Sequence, residues 1–200
     1  MSAILTAAEA QPLRLHTGPS ISLTDDQFFD FCQANRDLKI ERTASGDIVI
    51  MSPTGWKTGE RNLDIAAQLH SWAKRDGRGR ATDSSAGFLL PNGAVRAPDA
   101  AWVLKSRLAP LTREQQEKFL PLAPDFAIEL KSPGDSISAL EEKMREYVEA
   151  GTRLGWLIDP EAHRVSVFRP AAAIEIFESP TTVSGGPELP GFVLNLEAIW

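Results

Sequence analysis

Glu129 and Lys131 stand two residues apart in the apolar run PDFAIELKSP at 124–133, and this spacing is the first feature of the chain able to do chemistry. Side chains alternate across a β-strand, so positions two apart share a face. An acid and a base inside an apolar strand are costly to bury unless they work together or hold an ion. Spacing alone is weak evidence, because 27 acids and seven lysines in 200 residues produce about one such pair by chance. Two others occur. Asp37 and Lys39 lie in the polar stretch NRDLKIER, which reads as a solvated edge. Glu141 and Lys143 fall on a predicted helix, where positions two apart face away from each other. Glu129 and Lys131 alone combine a shared strand face with an apolar setting.

A metal site needs a second acid, and Pro98-Asp99 and Pro124-Asp125 offer one each. Asp125 precedes Glu129 by four strand residues, about 13 Å, which is too far for one cation with ligands at about 2.0–2.6 Å. Asp99 enters the neighbouring strand candidate AAWV and can lie across from Glu129 at the interstrand spacing of about 4.8 Å. The backbone carbonyl of Leu130 adds a third oxygen. Such a site supports metal-assisted phosphodiester hydrolysis: Asp99 and Glu129 hold Mg²⁺ or Mn²⁺, which acidifies a bound water, and Lys131 orients that water and offsets charge. The competing reading of the same residues is a buried Glu129–Lys131 ion pair, with Asp99 merely starting a strand.

The elements that must position these groups are legible in outline. Thr24 with Gln27 makes a capping box for a helix carrying Phe28, Phe31 and Cys32 on one face. LKIER and DIVIMS flank Ala44 to Gly46 as a predicted hairpin, and helical spacing runs from about Thr58 to Asp76. Strand candidates follow at 81–83, 88–90 and 99–104, then a short helix capped by Thr112 and Gln115. FAIEL is the central strand, and Ser138 with Glu141 predicts the cap of a further helix ending at Gly151. LGWLID, RVSVFR, IEIFE and FVLNLEAIW make the C-terminal region strand-rich. Residues 1–20 read as a flexible arm and residues 21–200 as one domain, an α/β fold of α+β type with a mixed sheet.

Composition narrows the function classes. A hydrophobic content of 42% supplies one full core. The net charge of −6 argues against coating nucleic acid non-specifically. One cysteine, Cys32, and three scattered histidines, His16, His70 and His163, leave no disulfide framework and no Cys/His zinc pattern. The N-terminus has no signal-peptide pattern and no segment is long and apolar enough to span a membrane, so the expectation is a cytoplasmic protein.

Five blocks carry a resemblance: MSPTG at 51–55, SSAGFLLPNGAVRAPDAAWV at 84–103, PDFAIELKSPGD at 124–135, KMREYVEAGTRLGWLIDP at 143–160, and the closing LPGFVLNLEAIW. From about Ser22 to Trp200 the sequence resembles the Uma-two family of restriction-type endonucleases, within the PD-(D/E)XK nuclease superfamily. The resemblance implies a restriction-endonuclease-like core, a divalent-metal site, and Asp99, Glu129 and Lys131 in the catalytic positions. Glu41 and Glu60 are candidates for the accessory acid that such nucleases draw from the first core strand or helix. Lys143 and Tyr147 match residues the family shows on the helix after the motif strand.

The basic stretch Lys74, Arg75, Arg78 and Arg80 is a candidate backbone contact for nucleic acid, and equally a solvated loop after a helix. Trp56, beside Lys57, is placed to stack on a base or to pack against the core. Trp102, Trp156 and Trp200 read as core or interface. The expected protein is a Mg²⁺-dependent DNA endonuclease acting as a homodimer, one active site cutting one strand. Its rival is a catalytically silent nuclease-like module that binds nucleic acid or a partner protein, a reading the acidic charge favours.

Overall fold

Residues 12–18 and 21–200 are described by the computed structural model of the chain. Leu13–Leu15 forms β1, and α1 (Asp25–Ala34) starts at the expected capping box: Thr24 Oγ1 accepts from the Gln27 N–H while the Gln27 side chain accepts from the Thr24 N–H. β2 (Lys39–Arg42) and β3 (Ile48–Met51) form the expected antiparallel hairpin. The long helix α2 (Trp56–Asp76) stops at Gly77, whose φ of 73° is left-handed and suits glycine. β4 (Gly79–Asp83), β5 (Phe88–Leu89), β6 (Val95–Arg96) and β7 (Ala100–Leu104) follow, then α3 (Lys105–Leu108) and α4 (Arg113–Glu117). The rest is β8 (Phe126–Leu130), α5 (Ile137–Glu149), β9 (Leu154–Asp159), β10 (Arg164–Phe168), β11 (Glu175–Glu178), β12 (Thr182–Ser184) and β13 (Val193–Asn195).

The mixed sheet has six strands in the order β11-β10-β9-β8-β7-β4. Its β8–β9 pair is parallel and its other pairs are antiparallel. Parallel neighbours need a crossover, and α5 is that crossover. One face of the sheet presents Trp102, Phe126, Ile128, Leu130, Trp156 and Ile158 to the α2 stripe Ile65, Leu69, Trp72 and Ala73 and to Phe192 and Leu194 near the chain end. The opposite face presents Ala101, Ala127 and Leu157 to Met144 and Tyr147 of α5. Gly155 lets α5 approach closely, because a β-carbon there would collide with the Met144 side chain. Each large apolar side chain buried this way contributes about 1.5–3 kcal/mol, so both faces of the sheet are pinned by packing.

A second sheet, β1-β3-β2-β6-β5, packs Ile40, Ile48 and Val95 against Phe28 of α1. Within the segment read from sequence as a flexible arm, Leu13–Leu15 pairs with Ile48–Ile50; residues 1–11 and 19–20 lie outside the described residues. One cap is shifted from its expected place. Ser136 Oγ, not Ser138, accepts from the Ala139 N–H at the start of α5.

Candidate active site

The register of β7 on β8 pairs Ala100 with Ile128 and Ala101 with Ala127, so Asp99 extends the ladder opposite Glu129. Asp99 is fixed there through one oxygen, its Oδ2 accepting the Leu130 N–H at 2.9 Å. Its Oδ1 has looser neighbours, the Lys39 ammonium at 3.6 Å and the Asn62 side-chain amide at 3.5 Å. Glu129 lies on the α5 face of β8 and is 4% exposed. Its Oε1 accepts from the Tyr147 hydroxyl at 2.9 Å and faces the Lys143 ammonium, also at 2.9 Å. Both contacts fall on that one oxygen. Each carboxylate therefore takes its close contacts through one oxygen, and the other is held loosely at Asp99 and by no side-chain hydrogen bond among the described residues at Glu129.

Glu41, buried in β2 at 2% exposure, stands behind this pair. It accepts from Lys143 Nζ at 2.9 Å, from Arg96 Nη1 at 3.1 Å and from the Ala97 N–H at 3.0 Å. Arg96 in turn holds Glu146 of α5 at 2.6 Å. The cluster thus sets the carboxylates Glu41, Asp99, Glu129 and Glu146 against the cations Lys39, Arg96 and Lys143, leaving an excess of negative charge. That excess divides unevenly. Burial would raise both Glu41 and Glu129, but Lys143, Arg96 and the Ala97 amide hold the Glu41 carboxyl down at about 2. At Glu129 burial dominates; Lys143 opposes it, and the nearby Asp99 and Glu41 charges add to it, so the carboxyl is pushed up to about 7. Lys143, despite its burial, is held charged by Glu129 and Glu41, and burial pushes the Tyr147 hydroxyl up so that it remains a donor.

The positions expected from sequence are thus partly brought together. Asp99, Glu129, Glu41, Lys143 and Tyr147 converge, whereas Glu60 stays exposed on α2. Lys131 stands apart from the shared site expected of it, and the Glu129–Lys131 ion pair of the competing reading is not formed either; the Lys131 ammonium sits 2.8 Å from Glu161, which is 58% exposed. The physical reason is that each group has another partner: Lys131, just past the end of β8, meets Glu161, and Glu129 Oε1 is taken by Lys143 and Tyr147. Lys39, Asn62 and Arg96 were missed. Lys39 reads as part of a polar edge, and no local pattern marks the other two. The basic residues Lys74, Arg75, Arg78 and Arg80 gather near Gly79, which pairs with Leu104, at the opposite end of β7 from Asp99. Arg78 is tied to Asp76 at 2.6 Å. Trp56 is 84% exposed in the first turn of α2, while Trp102 and Trp156 are core residues and Trp200 is half-buried against His163.

Among the described residues no group of three or more His, Cys, Asp or Glu side chains is arranged to hold a metal ion. Asp99 and Glu129 form a pair of hard oxygen donors beside excess negative charge, which fits Mg²⁺ or Mn²⁺ better than a metal that prefers sulfur or imidazole.

Among curated proteins there is no match to the chain. It is similar to a solved structure described as a putative nuclease belonging to DUF820 from Anabaena variabilis, with 24% identity and a TM-score of 0.68 over 80% of this chain and 88% of that one. That likeness shows the fold. Residues 25–197 match the Uma2 family, described as "Putative restriction endonuclease". With most of its length inside that match, and with the acid cluster and fold just described, the chain belongs to the Uma2 family.

Proposed function

We propose that the chain is a divalent-metal-dependent DNA endonuclease whose active site is built on Asp99 and Glu129. The observation that carries this reading is the uneven occupation of the two carboxylates: Asp99 Oδ2 and Glu129 Oε1 take the close contacts at 2.9 Å, whereas Asp99 Oδ1 has only the long contacts to Lys39 and Asn62, and among the described residues no side chain hydrogen-bonds Glu129 Oε2. Asp99, Glu129 and the Leu130 carbonyl would hold Mg²⁺ or Mn²⁺. When bound, the ion supplies Lewis-acid polarisation of a phosphate oxygen and a water acidified toward neutral pH.

The surrounding residues have separable tasks. The Leu130 N–H orients Asp99, and the Tyr147 hydroxyl orients Glu129. The water-orienting and charge-offsetting role expected of Lys131 passes in this reading to Lys143, whose ammonium faces Glu129 while Lys131 is engaged with Glu161. Because Lys143 is held protonated, it acts as a donor and a charge, not as a proton acceptor. Glu41 keeps that ammonium in place. A homodimer, with one site per DNA strand, and a cytoplasmic location belong to the same proposal. Among the described residues no helix is long and apolar enough to cross a membrane.

The test is nicking of supercoiled plasmid in Mg²⁺ or Mn²⁺, with EDTA as the control. The wild type should convert supercoiled to open-circular DNA, and Glu129→Ala should not. Equal background conversion by both proteins would end the endonuclease reading and leave a module that binds without cutting.

A further inference from the structure

The buried stripe of α2 changes character along its length. Thr58, Ile65, Leu69, Trp72 and Ala73 are its buried positions, and Asn62 falls between the first two, four residues after Thr58 and three before Ile65. Ile65, Leu69, Trp72 and Ala73 enter the apolar core. At Asn62, where the same face reaches Asp99, the stripe carries an amide.

That amide is poorly served by the protein. Its nitrogen donates to Asp99 Oδ1 at 3.5 Å, a long contact, and its Oδ1 is enclosed with no hydrogen-bond partner. An enclosed amide oxygen without a donor destabilises a fold, whereas leucine has similar bulk and would continue the apolar stripe. The orphaned oxygen lies next to a carboxylate pair that supplies only part of the roughly six oxygens Mg²⁺ requires. The two ends of an amide are about 2.2 Å apart, so Asn62 Oδ1 is within about 6 Å of Asp99 Oδ1. Bridging by one cation asks for less than about 5 Å, and the terminal torsion of asparagine is soft enough to supply the difference.

We propose that the side-chain oxygen of Asn62 is a neutral ligand of the divalent cation held by Asp99 and Glu129, an inference that rests on the metal site proposed above. The amide nitrogen steadies Asp99 while the amide oxygen faces the ion. Asn62 thereby gives up apolar burial on that face of α2 to a polar site.

Calorimetric titration of the full chain with Mn²⁺ alone, without DNA, tests this with Asn62→Leu, Asn62→Asp and Asp99→Asn. Asn62→Leu should weaken Mn²⁺ binding about tenfold or more, and Asn62→Asp should bind at least as tightly as the wild type. Without metal, Asn62→Leu should melt at or above the wild-type temperature, by up to about 2–4 °C. Mn²⁺ affinity within twofold of wild type in Asn62→Leu, alongside its loss in Asp99→Asn, would overturn the role of Asn62 and leave the carboxylate site standing. A lower melting temperature for metal-free Asn62→Leu would also overturn it, since the oxygen would then be satisfied by the fold. Should Asn62→Leu fail to fold, weaker binding by Asn62→Asp than by wild type is the refuting result. Absence of Mn²⁺ binding by the wild type would remove both this inference and the metal site.

Discussion

Asp99 and Asp125 both follow a proline, and each accepts, at 2.9 Å, a backbone N–H from the end of the neighbouring strand, Asp99 from Leu130 and Asp125 from Leu104. They therefore close opposite ends of the antiparallel β7–β8 pair with the same local device. Their surroundings separate them. Asp125, 2% exposed, meets the Arg107 guanidinium at 3.1 Å, one charge for one charge. Asp99 meets Lys39 only at 3.6 Å and shares its end of the sheet with Glu129 and Glu41, so negative charge there is left over. A capping aspartate thus becomes a candidate ligand through what the tertiary fold puts beside it, not through its own sequence motif.

Substitutions at the two aspartates should separate the two ends of the sheet most strongly. Asp99→Asn or Glu129→Gln should lower Mg²⁺-dependent nicking by about 10³-fold, while Asp125→Ala, if folded, should nick at nearly the wild-type rate. Loss of nicking in a folded Asp125→Ala would show that the two ends are not functionally distinct. Next in size, Lys143→Met strands Glu41 and Glu129 without their shared cation and should cost about 3–5 kcal/mol in urea unfolding.

Acid should act on the same end of the sheet. The Glu41 carboxyl is held down at about 2 against 4.5 when free, so its stabilisation is complete above pH 4.5 and is lost as pH falls toward 2. The loss should be on the order of 3 kcal/mol, and a Glu41→Gln variant should lack that part of the acid transition. At the other end, Asp125→Ala should cost about 1–3 kcal/mol, because the Leu104 N–H loses its acceptor and Arg107 its partner. Smallest are the changes away from both carboxylates. Lys131→Met should shift stability by about 0–1 kcal/mol, since its partner Glu161 is exposed. Lys74→Ala with Arg75→Ala should leave nicking within about twofold; a much larger loss would bring the basic end of the sheet into the DNA-binding surface.

Much of the scaffold was legible because its signals are local. The Thr24–Gln27 capping box, the hairpin around Ala44 to Gly46, the helical spacing of α2 and the apolar strand FAIEL each depend on residues a few positions apart. The second sheet was legible only in part, in its β2–β3 hairpin and in the strand candidate at 88–90 that becomes β5. β1 and β6, of three and two residues, are too short for a periodic pattern and exist only through their pairing with β3, β2 and β5.

The candidate site divides along the same line. Asp99 could be chosen over Asp125 from strand rise and spacing, because pairing between neighbouring strands follows from simple geometry. Lys143 could not be chosen over Lys131. Which lysine reaches Glu129 depends on how closely α5 settles on the sheet, and that distance is set by Met144, Tyr147 and the missing side chain at Gly155. Lys39, Arg96 and Asn62 arrive from β2, β6 and the polar end of α2, segments tens of residues from the motif strand.

The order of the main elements, the family and the pair of acids that face each other across β7 and β8 can be read from the amino acids alone, because strand alternation and capping chemistry act over a few residues. Which cation, which hydroxyl and which amide surround those acids follows from the fold. Those neighbours are selected by packing between distant segments, and in a buried site packing sets the distances on which the charge balance depends.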